Sequence, residues 1–287
     1  MSSRTVVVLA VLIVAGGSVF FMFRDGTQGT AAPQNGSNES PNGGSEDAEK
    51  TEAAARKRLA DLTTPGQSRP SSALIEQFNT EDAGRAAKLV ESQSDLTQSR
   101  GLVWAIGFKG DDRATPAIKS LLERDHEAKP LEDAQEQVIF ESVQALGLAA
   151  NRDKRAYDFV KQGTDPDFWT SRYTWKARRG DHTLSMLASY SIHAIGLSGR
   201  PEAKADIQEL RTRNPYYLHK FAGDIVQAMY LEWIRETLGA EGLREFLLTP
   251  QNNNPLWQKW EASAEGAKAV AWANKATMGK RPAKPDK

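Results

Sequence analysis

One phrase recurs three times in this chain: alanine, then isoleucine or leucine, then glycine. It stands at Ala105-Ile106-Gly107, Ala145-Leu146-Gly147 and Ala194-Ile195-Gly196, each time closing an apolar run and preceding a polar turn. After the turn a second apolar run follows, GDDRATPAIKSLL in the first copy, ANRDKRAYDFV in the second and GRPEAKADIQEL in the third. A helix, a tight stop and a returning helix account for this order. Each such hairpin buries only one stripe and needs a neighbour to cover it.

The periodicity within the copies is helical. Ile139, Val143 and Leu146 fall at i, i+4 and i+7, and Leu184, Leu187, Ala188, Ser191 and Ile195 share one face. In the returning runs Ala114, Ile118 and Leu121 match Ala203, Ile207 and Leu210. No run alternates with period two while carrying β-branched residues, so the fold class expected is all-α. Gly107, Gly147 and Gly196 occupy places that call either for close helix packing or for a left-handed stop. Pro201 reads as a first-turn residue of its helix.

The spacing separates the repeat classes. The alanines are 40 residues apart (145 − 105) and then 49 (194 − 145), which excludes a strict period of about 34 and fits units of about 40 to 47. On these residues, with the Gly-x-x-Gly ending at Gly107 and Gly196, the segment from about 90 to 212 resembles HEAT-like repeats. The middle copy departs, with Ala150 in place of the second glycine. The resemblance implies an α-solenoid of stacked helical hairpins that serves as a scaffold, and it carries over no catalytic residues.

The flanks extend the helical domain. Thr80–Val90 reads as a helix opened by an Asn or Thr cap. Tyr216–Leu238 is apolar on several faces, which predicts burial on two sides. Asn254-Pro255 opens a closing helix with Trp257, Trp260, Ala264, Ala267 and Ala271 on one face.

The amino terminus sets the expected location. Thr5 to Phe23 is nineteen residues without a charge, long enough at about 1.5 Å per residue to cross a hydrocarbon core of about 30 Å. Arg4 precedes it, and acids dominate the stretch that follows, so the folded part is expected outside the cytoplasm. In a bacterium this is a single-pass inner-membrane protein with a periplasmic domain. A cleaved signal peptide ending near Ala15-Gly16-Gly17 is the competing reading. Residues 25–52, rich in Gly, Ser, Asn, Pro and acids, read as a disordered linker. The organisation expected is an anchor over 1–24, a linker over 25–52, a helical repeat domain over 53–278 and a disordered basic tail over 279–287.

Lys plus Arg and Asp plus Glu both number 37, and cysteine is absent. The balanced charge argues against nucleic-acid binding, and the lack of cysteine removes disulfides and thiolate chemistry. His126, His182, His193 and His219 have no metal-ligand spacing, no nucleophile elbow or phosphate loop appears, and no cofactor or metal is expected. The Arg179-Gly180-Asp181 tripeptide is treated as chance. The chain is therefore read as a non-enzyme that binds protein partners in the cell envelope.

Asp165 to His182 accounts for the longer second spacing. Its aromatics Phe168, Trp169, Tyr173 and Trp175 stand beside Arg172, Lys176, Arg178 and Arg179. Trp169, Tyr173, Trp175, Arg178 and Arg179 form the candidate partner-binding set, a stacking and cation–π surface for a protein or a glycan. The alternative is that these rings plug the groove between neighbouring hairpins. Two further functional readings stand beside the scaffold: a peptidoglycan- or glycan-binding module using this insert, and an accessory subunit of an envelope enzyme.

Overall fold

A computed structural model of the chain describes residues 44–63, 69–110, 112–124, 131–172, 181–249, 254–278 and 282–283. The described residues form thirteen α-helices, one short 3₁₀ turn at Leu96–Ser99 and no strand. In chain order the helices are α1 Gly44–Leu62, α2 Ser72–Gln77, α3 Thr80–Ser92, α4 Arg100–Lys109, α5 Ala114–Leu122, α6 Asp133–Ala149 and α7 Lys154–Gly163. They continue with α8 Pro166–Arg172, α9 Asp181–Ser198, α10 Ala203–Leu210, α11 Pro215–Leu248, α12 Pro255–Glu261 and α13 Ala264–Thr277.

The three phrases of the sequence end α4, α6 and α9, and these helices pack in chain order, α4 on α6, α6 on α9 and α9 on α11. Helix α3 packs against α4 and α5, and the returning helices follow, α5 against α6, α7 against α6 and α9, and α10 against α9 and α11. One continuous core runs through these helices, from Leu59 and Ile75 to Ala273.

The phrase itself is a contact. A methyl group added at Gly107 would lie 2.9 Å from Ala145 O, one at Gly147 2.6 Å from Ala194 Cα, and one at Gly196 2.2 Å from Ala228 O. Each glycine thus lets its helix sit directly on the backbone of the next, at that helix's own alanine. Of the two roles open to these glycines, close packing is the one they fill. The left-handed stop falls later, at Gly199, whose φ is +60°.

The seam ends for a visible reason. Ala228 is the fourth alanine, but two residues on stands Tyr230, not glycine. Its fully buried ring lies 5.0 Å from Trp257, 5.4 Å from Trp260 and 5.8 Å from Phe246. No helix can approach there as closely as the previous three do, and α12 and α13 close the array through aromatic packing instead. Tyr230 donates to Asn254 Oδ1 at 2.8 Å, and the same oxygen accepts from Trp257 N at 3.0 Å as the cap of α12.

Several expectations need correction. The closing helix is two helices, because Ser263 caps a fresh start by accepting from Gly266 N. The break changes the register, so Gly266, Ala269 and Ala273 are buried while Ala264, Ala267 and Ala271 are exposed. α1 begins at Gly44, inside the stretch read as linker. Four acids, Glu46, Asp47, Glu49 and Glu52, lie in its first half and alanines follow at 53–55, a favourable helix start. Pro201 lies in the turn ahead of α10, whose first residue is Ala203. Asn79 is the cap of α3, in a reciprocal box with Asp82.

No helix among the described residues is long and apolar enough to cross a membrane. The Thr5–Phe23 segment, most of the linker and nearly all of the 279–287 tail lie outside them.

Candidate functional site

Four residues before each alanine of the seam stands a residue that faces the preceding helix: Glu141, Tyr190 and Asp224. Five and one residues before each alanine stand the groups that meet it from that helix: Arg100 and Trp104 on α4, Phe140 and Gln144 on α6, Ser189 and His193 on α9. The same geometric station therefore carries three different chemistries.

At the α4–α6 junction it is a buried ion pair. Arg100 forks onto Glu141, with Nε at 2.8 Å and Nη2 at 2.6 Å, and Trp104 Nε1 donates to the same carboxylate at 2.8 Å. Gln137 Nε2 adds a fourth donor at 3.0 Å. Only 1% of the Glu141 side chain is exposed. Burial pushes its carboxyl upward, but the bonds from Arg100 and Trp104 and the charges of Arg69 and Arg100 hold it below its ordinary value. The same carboxylate raises Arg100 against the effect of burial.

At the α6–α9 junction the carboxylate is replaced by Tyr190, stacked on Phe140 at 5.2 Å. Burial raises its phenol. Gln144 Oε1 is buried there with no hydrogen-bond partner. At the α9–α11 junction the carboxylate returns: Ser189 Oγ donates to Asp224 Oδ2 at 3.0 Å, and His193 Nε2 lies 3.0 Å from Oδ1. The His193 contact is short, but its angle misses that of a hydrogen bond.

Arg69 reaches this row from outside it. Its guanidinium lies over the Trp104 ring at 4.6 Å, its Nη1 donates to Leu247 O at 2.7 Å, and its Nε is 3.8 Å from Glu141 Oε1. Burial lowers its pKa, against the opposing charge of Glu141. The segment that carries Arg69 continues into α2, which touches both α4 and the far half of α11. That far half exists because Gly239, with φ +71°, bends α11. Beyond the bend Arg244 donates to Ser72 Oγ at 3.0 Å and pairs with Glu76. Residues 69–77 thus form a strap joining an early helix to a late one.

Arginines also close helix ends across the fold. Arg124 donates to the α3 carbonyls of Val90 and Glu91 and to that of the cap residue Gln93, and Arg235 donates to Leu197 O at the end of α9 at 2.7 Å. A shallow depression of about 490 Å³, lined by Pro116, Lys119, Ser120, Glu123 and Arg124, opens beside the first of these.

Of the partner-binding candidates, Trp169 is described and is fully buried. Its Nε1 donates to Gly163 O at 2.6 Å, and its ring meets Phe168 edge-on at 5.1 Å and Phe159 at 5.8 Å. This ring holds α8 to the end of α7 and offers no surface to a ligand. Tyr173, Trp175, Arg178 and Arg179 lie outside the described residues. His193 pairs with a carboxylate that sequence reasoning did not associate with it, since Asp224 is 31 residues away (224 − 193) on the next helix. No cluster of three or more metal-ligating side chains occurs among the described residues.

Comparison with protein-family models, with curated proteins and with solved structures returns no match.

Proposed function

We propose that the chain is a membrane-tethered scaffold, a HEAT-like α-solenoid that works by holding a protein partner in the cell envelope and not by catalysis. The observation that carries this reading is the glycine-on-alanine contact, made the same way by α4 on α6, α6 on α9 and α9 on α11. A chain that repeats one interhelix contact while varying the residues beside it has the economy of a stacked-repeat protein, whose surfaces serve recognition. The apolar Thr5–Phe23 segment supports the tether. Anchoring raises the effective concentration of the binding surface near membrane partners.

The test uses the full chain in its native membrane, with a photo-crosslinking residue placed singly at exposed positions such as Lys88, Ser120, Lys154 and Lys268. The scaffold reading expects one reproducible adduct of defined mass, confined to neighbouring positions. Adducts absent at every position, or scattered over all of them, would contradict it. Protease protection in spheroplasts against intact cells checks the orientation, with the folded part expected outside the cytoplasm.

A further inference from the structure

The turns that follow α4, α6 and α9 are stitched to one another by side chains. Arg155 donates to Asp112 O at 3.2 Å, Arg200 to Ala150 O at 3.3 Å, Asn151 to Gly199 O at 3.4 Å and Arg235 to Leu197 O at 2.7 Å. Most cations along this line also hold a carboxylate. Arg155 forks onto Asp153, Arg200 meets Glu202 at 2.8 Å, Lys154 meets Asp158 at 2.6 Å and Lys204 lies 3.9 Å from Glu236.

Two arginines differ. Among the described residues neither Arg152 nor Arg235 pairs with a carboxylate. They come together over the third turn. Arg152 follows Asn151, whose amide reaches Gly199, and the Arg235 guanidinium lies on Gly199 itself, where an added methyl group would fall 1.9 Å from Nε. Gly199, at φ +60°, leaves the guanidinium room that a side chain would take. Burial and the charge of Arg152 both hold the Arg235 pKa below its ordinary value. Arg235 is half-buried and fixed by its bond to Leu197 O, while Arg152 stands exposed beside it.

An anion set against two like charges is attracted by both and offsets their repulsion. The guanidinium fork suits a carboxylate or a phosphate. The adjoining turns favour the carboxylate, the group that Asp153 supplies to Arg155 and Glu202 to Arg200. No acid of the described chain supplies it to Arg152 and Arg235.

We propose that Arg152 and Arg235, side by side at the Gly199 turn, bind a carboxylate from an acidic segment of a protein partner. The partner rests on the scaffold reading, but the two fail separately. Crosslinks can identify a partner that never touches this turn, and the turn can bind a carboxylate though no crosslink forms.

The test measures anisotropy of a dye-labelled hexaglutamate with the full chain in an uncharged detergent, at one fixed ionic strength, with hexaglutamine as control. Hexaglutamate is expected to bind and hexaglutamine is not. Arg152→Gln should weaken hexaglutamate about fivefold, and Lys154→Gln, which removes the same charge two residues on, by less than about twofold. Arg235→Lys keeps the charge, loses the fork and should weaken it about threefold. Glutarate should compete at least as well as inorganic phosphate. Equal binding of the two peptides, equal weakening by Arg152→Gln and Lys154→Gln, unchanged binding in Arg235→Lys, or displacement by phosphate at far lower concentration than by glutarate overturns the proposal. If Arg235→Lys lacks the helical circular dichroism of the unsubstituted chain, Arg152→Lys takes its place with the same expected and overturning results.

Discussion

The α4–α6 and α6–α9 junctions share a backbone contact and differ in the residue four positions before it. In both, a glycine rests on the next helix's alanine. Beside that contact the first junction buries Glu141 under Arg100 and Trp104, and the second stacks Tyr190 on Phe140. The close approach is therefore the common element, and the station four residues earlier is free to be ionic or aromatic. An ionic station is the more fragile of the two, because its charges are satisfied only together.

The largest effect should come from breaking that dependence. Glu141→Ala leaves Arg100 and Arg69 facing no anion in a buried site, and should cost about 3–5 kcal/mol in denaturant unfolding. A loss below about 1 kcal/mol would show that the ion pair adds nothing over the aromatic alternative. Next come the glycines, where the two junctions should behave alike: Gly107→Ala and Gly147→Ala should each cost about 1–3 kcal/mol by forcing packed backbones apart. A large disparity between the two would separate junctions that the geometry makes equivalent.

At the aromatic station Tyr190→Phe keeps the ring and loses one hydroxyl. It should cost about 1 kcal/mol by the same unfolding measurement, and a loss as large as that of Glu141→Ala would erase the contrast between the stations.

The smallest effect concerns Glu232, outside both junctions, whose carboxyl is raised to about 6 by burial, with Glu236 and Glu265 adding to the rise and Lys204 opposing it. Folded chains hold this proton more tightly than unfolded ones, so its contribution favours folding below about pH 4.5 and is lost as pH rises through about 6. Glu232→Gln should therefore stabilise the fold at pH 8 by less than about 1 kcal/mol, discounted for its partial exposure. At pH 4 it should do nothing, and an equal effect at both would refute the assignment.

The helices from α4 to α10 were legible because their apolar period and the recurring Ala-x-Gly phrase are local. What the phrase does was legible only as a choice, since close packing and a left-handed stop both favour glycine. The break at Ser263 carried its own signal, a serine three residues before Gly266, but the run of alanines after it reads smoothly across the gap. The far half of α11 lies beyond the Tyr216–Leu238 helix read from the sequence, although Leu243 and Leu247 are spaced by one turn; Gly239, where the helix bends, stands between the two halves. The Glu141 and Asp224 stations escaped sequence reading for a different reason. Each pairs residues 31 to 41 positions apart, and only the register of one helix on the next brings them together. The strap was illegible on the same ground, since Ser72 meets Arg244 across 172 positions.

Two glycine substitutions, both inside helices and opposite in setting, test the seam most directly. A methyl group at Gly196 would lie 2.2 Å from Ala228 O, while one at Gly223 on α11 would meet nothing within 4 Å. Thermal unfolding should therefore give opposite signs, Gly196→Ala destabilising by about 1–3 kcal/mol and Gly223→Ala stabilising by about 0.5–1 kcal/mol through helix propensity. Equal stabilisation by both would mean that the helices do not meet where this account places them.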